Sequence, residues 1–345
     1  MENLLSRFGG GKAFVLGVGG GGDVVTAVVL RRFLSFFGLK SFVGGVVWER
    51  FPVDPFPGPI SLKELNPVKV FGESLGWVNG ETVAYRDGIP VKPQLTRVSK
   101  YLGEDLLAVD LWMSPLQIVK DLVLIANRFG VGLVVGVDVG GDVLAVGDEE
   151  NLWSPLADQV MLAVLAELKK KGYETLLAVH GLGVDGELEV EYLLKRISQI
   201  AKIGGYLGAR GLNREDAELL EKLVKVVETE SSLLPLKAFK GEYGKYEIRL
   251  GTRKAMLTPL STVTFLLDPL KVFEASPMAK AIVRARNLEE ANKTLNQMGI
   301  YTELDLEKDE YNTYLKNKKL TKNIILKIRK EGIKKLKINK PLKFK

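Results

Sequence analysis

A chain of 345 residues with 46% hydrophobic and 26% charged content has room for one large domain and a smaller one, and it excludes wholesale disorder and a coiled coil. It contains no cysteine and one histidine, His180, which excludes disulfides, thiolate metal sites, cysteine nucleophiles and a His-rich zinc site. The formal charge of +7 is unevenly spread: Lys316 to Lys345 carries 13 basic residues against Glu331 alone, so the remainder stands at −5 and is not a nucleic-acid binder in its own right.

Met1 to Arg7 lacks a charged leader followed by an apolar stretch, and no apolar run reaches the ~20 residues of a bilayer span, so a cytoplasmic location is expected. Scarce Gln, absent Cys and plentiful Lys, Glu and Ile suggest a thermophilic source. Lys12 to Leu16 reads as a strand, Gly17 to Asp23 as a glycine loop, and the apolar stretch up to Gly38 as a buried helix. Ser41 to Glu49 is β-branched enough for a second strand, after which Pro52 to Pro59 forces an excursion. Segment 60–100 shows no clear period.

From Asp105 the rhythm is regular. Asp105 to Asp110 is a strand, followed by a helix with Ser114 as N-cap, Pro115 at its first position and Gly130 past its end. Val131 to Asp138 and a helix from Ser154-Pro155 to Gly172 repeat the unit, and Leu111 to Leu116 (LWMSPL) echoes Leu152 to Leu156 (LWSPL). Glu174 to Val179 is the next strand, leading through His180 to a helix ending near Ile203. This alternation predicts an α/β fold: a Rossmann-like, mostly parallel sheet with helices on both faces, over 1–205. Beyond it come a helix near Arg214 to Val227, a hairpin over KYEIRLGTRKAML, and helices starting at Thr258-Pro259 and Ser276-Pro277. These predict a smaller α+β part over 206–315 and a basic tail over 316–345.

In open parallel sheets ligands bind outside the carboxyl ends of the strands. There the sequence places Gly17 to Asp23, Glu49, Asp110, Asp138 with Gly140-Gly141-Asp142, and His180 with Asp185. Gly17 to Gly22 formally satisfies GxGxxG, but Asp23 puts a negative charge where a phosphate would sit, and a hard cation shared by both resolves the conflict. Asp23, Asp138 and Asp142 are the expected ligands of Mg²⁺ or Mn²⁺. Gly19, Gly20, Gly21, Gly22, Gly140 and Gly141 are expected to offer amides to an anion, with Asp185 as a further ligand contact. Asp142 and His180 are the candidate acid–base groups. The plainer account is φ > 0 turns, a helix-capping Asp23, solvated loop acids and a structural histidine. Glu149, Glu150 and Asp158 open a helix, where the macrodipole accounts for them. Arg210, Lys240, Arg249, Arg253 and Lys254 are placed to neutralise an anion, although a solvated hairpin face is the simpler reading. No Walker lysine motif, GxSxG or HExxH occurs.

GVGGGGDVV (Gly17 to Val25), GVDVGGDVLA (Gly136 to Ala145) and LWSPLAD (Leu152 to Asp158) resemble a largely archaeal family, the domain of unknown function numbered 1152, over most of 10–300. That label implies no activity. GVDVGGDVLAVG is more loosely similar to the Gly-Gly-Asn-Glu loop of the D-glutamate cyclase family, which would imply a metal-assisted lyase on a small carboxylate; here Asp142 replaces the Asn and Val143 the Glu.

The reading that follows is a metal-dependent enzyme, a lyase or hydrolase, acting on a small phosphorylated or carboxylated metabolite. One rival is a non-catalytic nucleotide or cofactor sensor using the same loops. Another is an NAD-type oxidoreductase with Glu49 on the ribose. The basic tail is a candidate contact for RNA or an acidic partner, against the plainer reading of a solvated terminal element, and a homo-oligomer is the default expectation.

Overall fold

The computed structural model describes residues 9–316 and 319–338. The expectation for Met1 to Arg7 and the last basic residues of the tail lie outside these.

Strand β1 (Lys12–Gly17) is apolar on both faces and passes through the glycine loop into helix α1 (Asp23–Ser35), followed by β2 (Lys40–Val46). Segment 60–100 folds into β3 (Leu65–Asn66), β4 (Lys69–Phe71), β5 (Leu75–Val78), β6 (Val83–Arg86), β7 (Ile89–Val91) and α2 (Gln94–Leu102). Strands of two to four residues are too short to show a period in sequence. Then come β8 (Leu106–Val109), α3 (Pro115–Phe129), β9 (Val131–Val139), α4 (Pro155–Lys170), β10 (Glu174–His180) and α5 (Val190–Lys202). Ser114 caps α3 through the Gln117 amide, and Gly130 ends it in the left-handed conformation, as the sequence predicts.

The rest of the chain forms β11 (Tyr206–Gly211), α6 (Arg214–Leu223), α7 (Glu230–Phe239), the hairpin β12 (Gly244–Ile248) and β13 (Arg253–Leu257), and β14 (Val263–Leu267). Helices α8 (Pro269–Glu274), α9 (Pro277–Ile282), α10 (Leu288–Gln297), α11 (Glu303–Tyr314) and α12 (Lys322–Ile338) complete it. The helix expected from Thr258-Pro259 is a single turn, Pro259–Thr262, because the β-branched and aromatic run from Val263 immediately enters the sheet.

One nine-stranded sheet has the order β11-β14-β10-β9-β1-β2-β8-β5-β4. Its five central strands, β10 to β8 in that order, are parallel; β14, β11, β5 and β4 add antiparallel edges. The fold is therefore α/β and Rossmann-like, and two of its strands come from beyond residue 205. Along β1, Phe14 and Leu16 face one apolar layer with α3, α4, α5 and α8 to α10, while Ala13 and Val15 face the other with α1, α2 and α6. Each such fully buried aliphatic or aromatic side chain contributes about 1.5–3 kcal/mol. The chain order runs β1, β2, β8 to one side and β9, β10 to the other, so it reverses between β1 and β9. The loops that leave their carboxyl ends run to helices on opposite faces there and leave a crevice. Among the described residues no helix is long and apolar enough to cross a membrane.

Candidate functional site

The crevice is lined by the β1–α1 loop, the end of β9 and the loop after β10. Pairing of Gly17 with Val137 brings Gly19 to Asp23 alongside Asp138. Asp23 is the first residue of α1 and accepts the Gly19 amide at 2.7 Å. Asp138 lies in β9 on the side of Gly136, which packs against Leu165 of α4, so its carboxylate points to the start of that helix, where Asp158 stands in the first turn. Asp142 opens a single turn after β9, and Asp185 and Glu187 come from the loop after β10. Trp48, Arg50, Ser154, Ser231, Arg249 and Arg253 complete a cavity of about 50 Å³. That is room for a few water-sized occupants at about 10–15 Å³ each.

The carboxylates fall into two groups. Oxygen atoms of Asp23, Asp138 and Asp158 lie within 4.8 Å of one another, as do those of Asp142, Asp185 and Glu187. All six residues are buried, Asp138 and Asp158 each to 2% exposure. Asp138 Oδ2 and Asp158 Oδ1 have no hydrogen-bond partner among the described residues. Leaving a charged oxygen buried and unpaired costs several kcal/mol unless a proton or a cation meets it. Burial, above all other causes, pushes Asp23 and Asp185 up to about 7. Burial and then the neighbouring carboxylates raise Asp138, Asp142 and Asp158 well above the usual range. An all-oxygen donor set of this kind suits hard cations such as Mg²⁺ and Mn²⁺.

Three guanidinium groups face the acids. Arg50 lies 3.1 Å from Glu307 and 3.8 Å from Glu303, and stacks on Trp48. Arg253 pairs with Glu187 at 2.6 Å and lies over Trp153. Arg249 makes no ion pair among the described residues; burial and the charges of Arg253 and Arg50 lower it to about 10.

Half of the amides expected to form a nest meet oxygens of the protein itself. Gly20 and Gly21 hold positive φ, and the Gly21 amide donates to the Trp48 carbonyl. A Cβ on Gly22 would fall 2.0 Å from Thr229 Oγ1, so glycine there admits the start of α7. Gly140 and Gly141 also hold positive φ, and the Gly140 amide donates to the His180 carbonyl. Three of the six expected amides, those of Gly19, Gly21 and Gly140, are thus spent on the protein's own oxygens. Arg249 and Arg253 line the same cavity.

The structure brings Asp23, Asp138, Asp142 and Asp185 together but not His180. The His180 ring bonds Thr264 Oγ1 at 2.8 Å, on the opposite face of the sheet near Arg210, and burial lowers it to about 4. Asp110 is spent on the Leu62 and Trp112 amides. Glu49 accepts the Gln94 amide and lies outside the crevice. Arg210 and Lys240 pair with Asp216 and Glu221.

Sequence reasoning missed Asp158, Glu187, Arg50 and Ser154 as site residues. Ser154 does not cap α4; its hydroxyl bonds Glu187, and the Glu303 carboxylate takes the Leu156 and Ala157 amides instead.

Residues 14–311 match the family described as "Protein of unknown function (DUF1152)". The chain belongs to that family. No curated protein and no solved structure matches it. Nothing in these comparisons supports the looser likeness to the D-glutamate cyclase family.

Proposed function

Starting from that membership, which assigns no activity, we propose that the chain is a metal-dependent enzyme, a lyase or hydrolase, acting on a small phosphorylated or carboxylated metabolite at the crevice between β1 and β9. The observation that carries this reading is the pair of buried carboxylate oxygens, Asp138 Oδ2 and Asp158 Oδ1, without a hydrogen-bond partner in a polar cavity. With Asp23 they would hold Mg²⁺ or Mn²⁺, which supplies Lewis-acid polarisation of the bound anion. Arg249 and Arg253 would bind the anion's oxygens, and Asp142, which lines the same cavity, would take or give a proton. The dinucleotide alternative lacks a ribose contact, because Glu49 is engaged by Gln94.

Calorimetry of metal-stripped protein with Mn²⁺, before and after Asp138→Asn and Asp158→Asn, tests the cation. Binding by the native chain that each substitution weakens tenfold or more is expected; equal binding by the variants would overturn the assignment. Turnover of a panel of phosphate esters and hydroxy acids then separates the enzyme from the sensor, which would bind them with Mn²⁺ and release them unchanged.

A further inference from the structure

We infer that the crevice is built for two divalent cations, the second held by Asp142, Asp185 and Glu187, and that the anionic group of the substrate bridges the pair. The inference rests on the metal-dependent reading above and extends it from one ion to a binuclear centre.

The two oxygen groups are separate sets drawn from different elements, each compact enough for one ion. They share a wall. Asp138, near the end of β9, and Asp142, in the turn that follows it, are four residues apart, and both line the one cavity with the other four acids. Such adjacency suits the spacing of about 3.5–4 Å at which two metal ions clamp one substrate oxygen group.

With all six acids ionised, charge favours two ions over one. Six carboxylates line the cavity, and Arg50 is already paired with Glu303 and Glu307. Arg249 and Arg253 balance two of the six when all are ionised. One divalent ion leaves two negative charges in a buried space, which repel the anion that the arginines are placed to bind. Two ions bring the cavity to neutrality, so that an incoming phosphoryl or carboxyl group meets no net repulsion.

The second group already attracts positive charge. Arg253 Nη1 lies 2.6 Å from Glu187 Oε1, braced by Trp153, while its Nε has no hydrogen-bond partner among the described residues. A divalent ion at Glu187 would compete for Oε1 with this contact and with the Ser154 hydroxyl, while the Trp153 and Ser154 amides hold Oε2 in place, and would leave the guanidinium to the bridging anion. Independently of the acids' mere clustering, the unpartnered Asp138 Oδ2 and Asp158 Oδ1 point into the same cavity, which has space for more than one ion.

The test is Mn²⁺ stoichiometry and electron paramagnetic resonance on the metal-stripped full chain. Two Mn²⁺ per chain and an exchange-coupled signal at saturation are expected. Asp185→Asn and Glu187→Gln should each retain one Mn²⁺, lose the coupled signal and bind inorganic phosphate at least tenfold more weakly in saturating Mn²⁺. Circular dichroism of the variants separates this loss from unfolding, and the stoichiometry of the native chain stands without any variant. A single uncoupled Mn²⁺, removed by Asp158→Asn and untouched by Asp185→Asn, would overturn the second site and leave the one-ion function intact. No Mn²⁺ binding by the native chain would overturn both.

Discussion

Asp158 occupies a position where this fold otherwise buries hydrocarbon. In the echoed unit, Ser114-Pro115 and Ser154-Pro155 start their helices alike, and the fourth residue beyond the serine is Ile118 in one and Asp158 in the other. Ile118 is fully buried in the core, and Asp158 is buried to nearly the same degree with one oxygen unpartnered. An acid kept in such a place opposes folding unless a ligand meets it. Asp158→Asn should therefore leave the metal-stripped protein as stable or up to about 1–2 kcal/mol more stable, while removing the stabilisation that saturating Mn²⁺ gives the native chain. Paired denaturant titrations with and without Mn²⁺ check this, and a variant that is less stable in both would make Asp158 a structural acid. The sequence held the clue in the comparison of the two echoed units. Taken alone, Asp158 is one more acid in the first turn of a helix, which the macrodipole explains.

The twin helices α3 and α4 differ in what holds their first turns. Ser114 caps α3 by accepting from the Gln117 amide at 3.0 Å. Helix α4 delegates that task to Glu303 of α11, at 3.0 and 2.9 Å from the Leu156 and Ala157 amides, and its own Ser154 turns to Glu187 in the crevice. Ser114→Ala should cost about 1 kcal/mol with no change in Mn²⁺ affinity. Ser154→Ala should hardly change stability but alter Mn²⁺ binding, and Glu303→Ala should cost about 1–3 kcal/mol by leaving two helix amides without partners. Equal stability losses for the two serines would show that Ser154 acts as a cap after all. No local rule reveals this division of labour, because Glu303 is 147 residues from Leu156. A still longer separation in sequence hides α12, whose Arg329 lies over Trp153 on the same ring that braces Arg253.

At the scale of the molecule, the central strands were legible as apolar runs, since a sheet covered on both faces needs hydrocarbon on both. The edges were not. The exposed and half-exposed residues of β11 give no apolar run, and its partner β14 lies beyond an intervening hairpin. The strand ends read from sequence supply four of the six acids that line the crevice. The buried charge of the whole molecule sets its response to pH. Burial lowers His180 from 6.5 to about 4, so the unfolded chain binds more protons between those values, and this residue favours the native state more as pH rises. Burial raises Glu49, Glu303 and Glu310 from 4.5 to about 7, so in that window the folded chain binds more protons and each acid costs stability as pH rises. These three acids, together with Asp23 and Asp185 of the crevice, which burial also raises to about 7, oppose one histidine over nearly the same range. The denaturation midpoint of the metal-stripped protein should accordingly fall between about pH 5 and about pH 8, the reverse of the acid denaturation usual when native carboxylates are stabilised. His180→Gln should steepen the fall below about pH 6.5, because the opposing contribution of the histidine is gone. A midpoint that instead rises across the window would mean that the native state keeps these carboxylates ionised, and that burial is offset by partners rather than by protons.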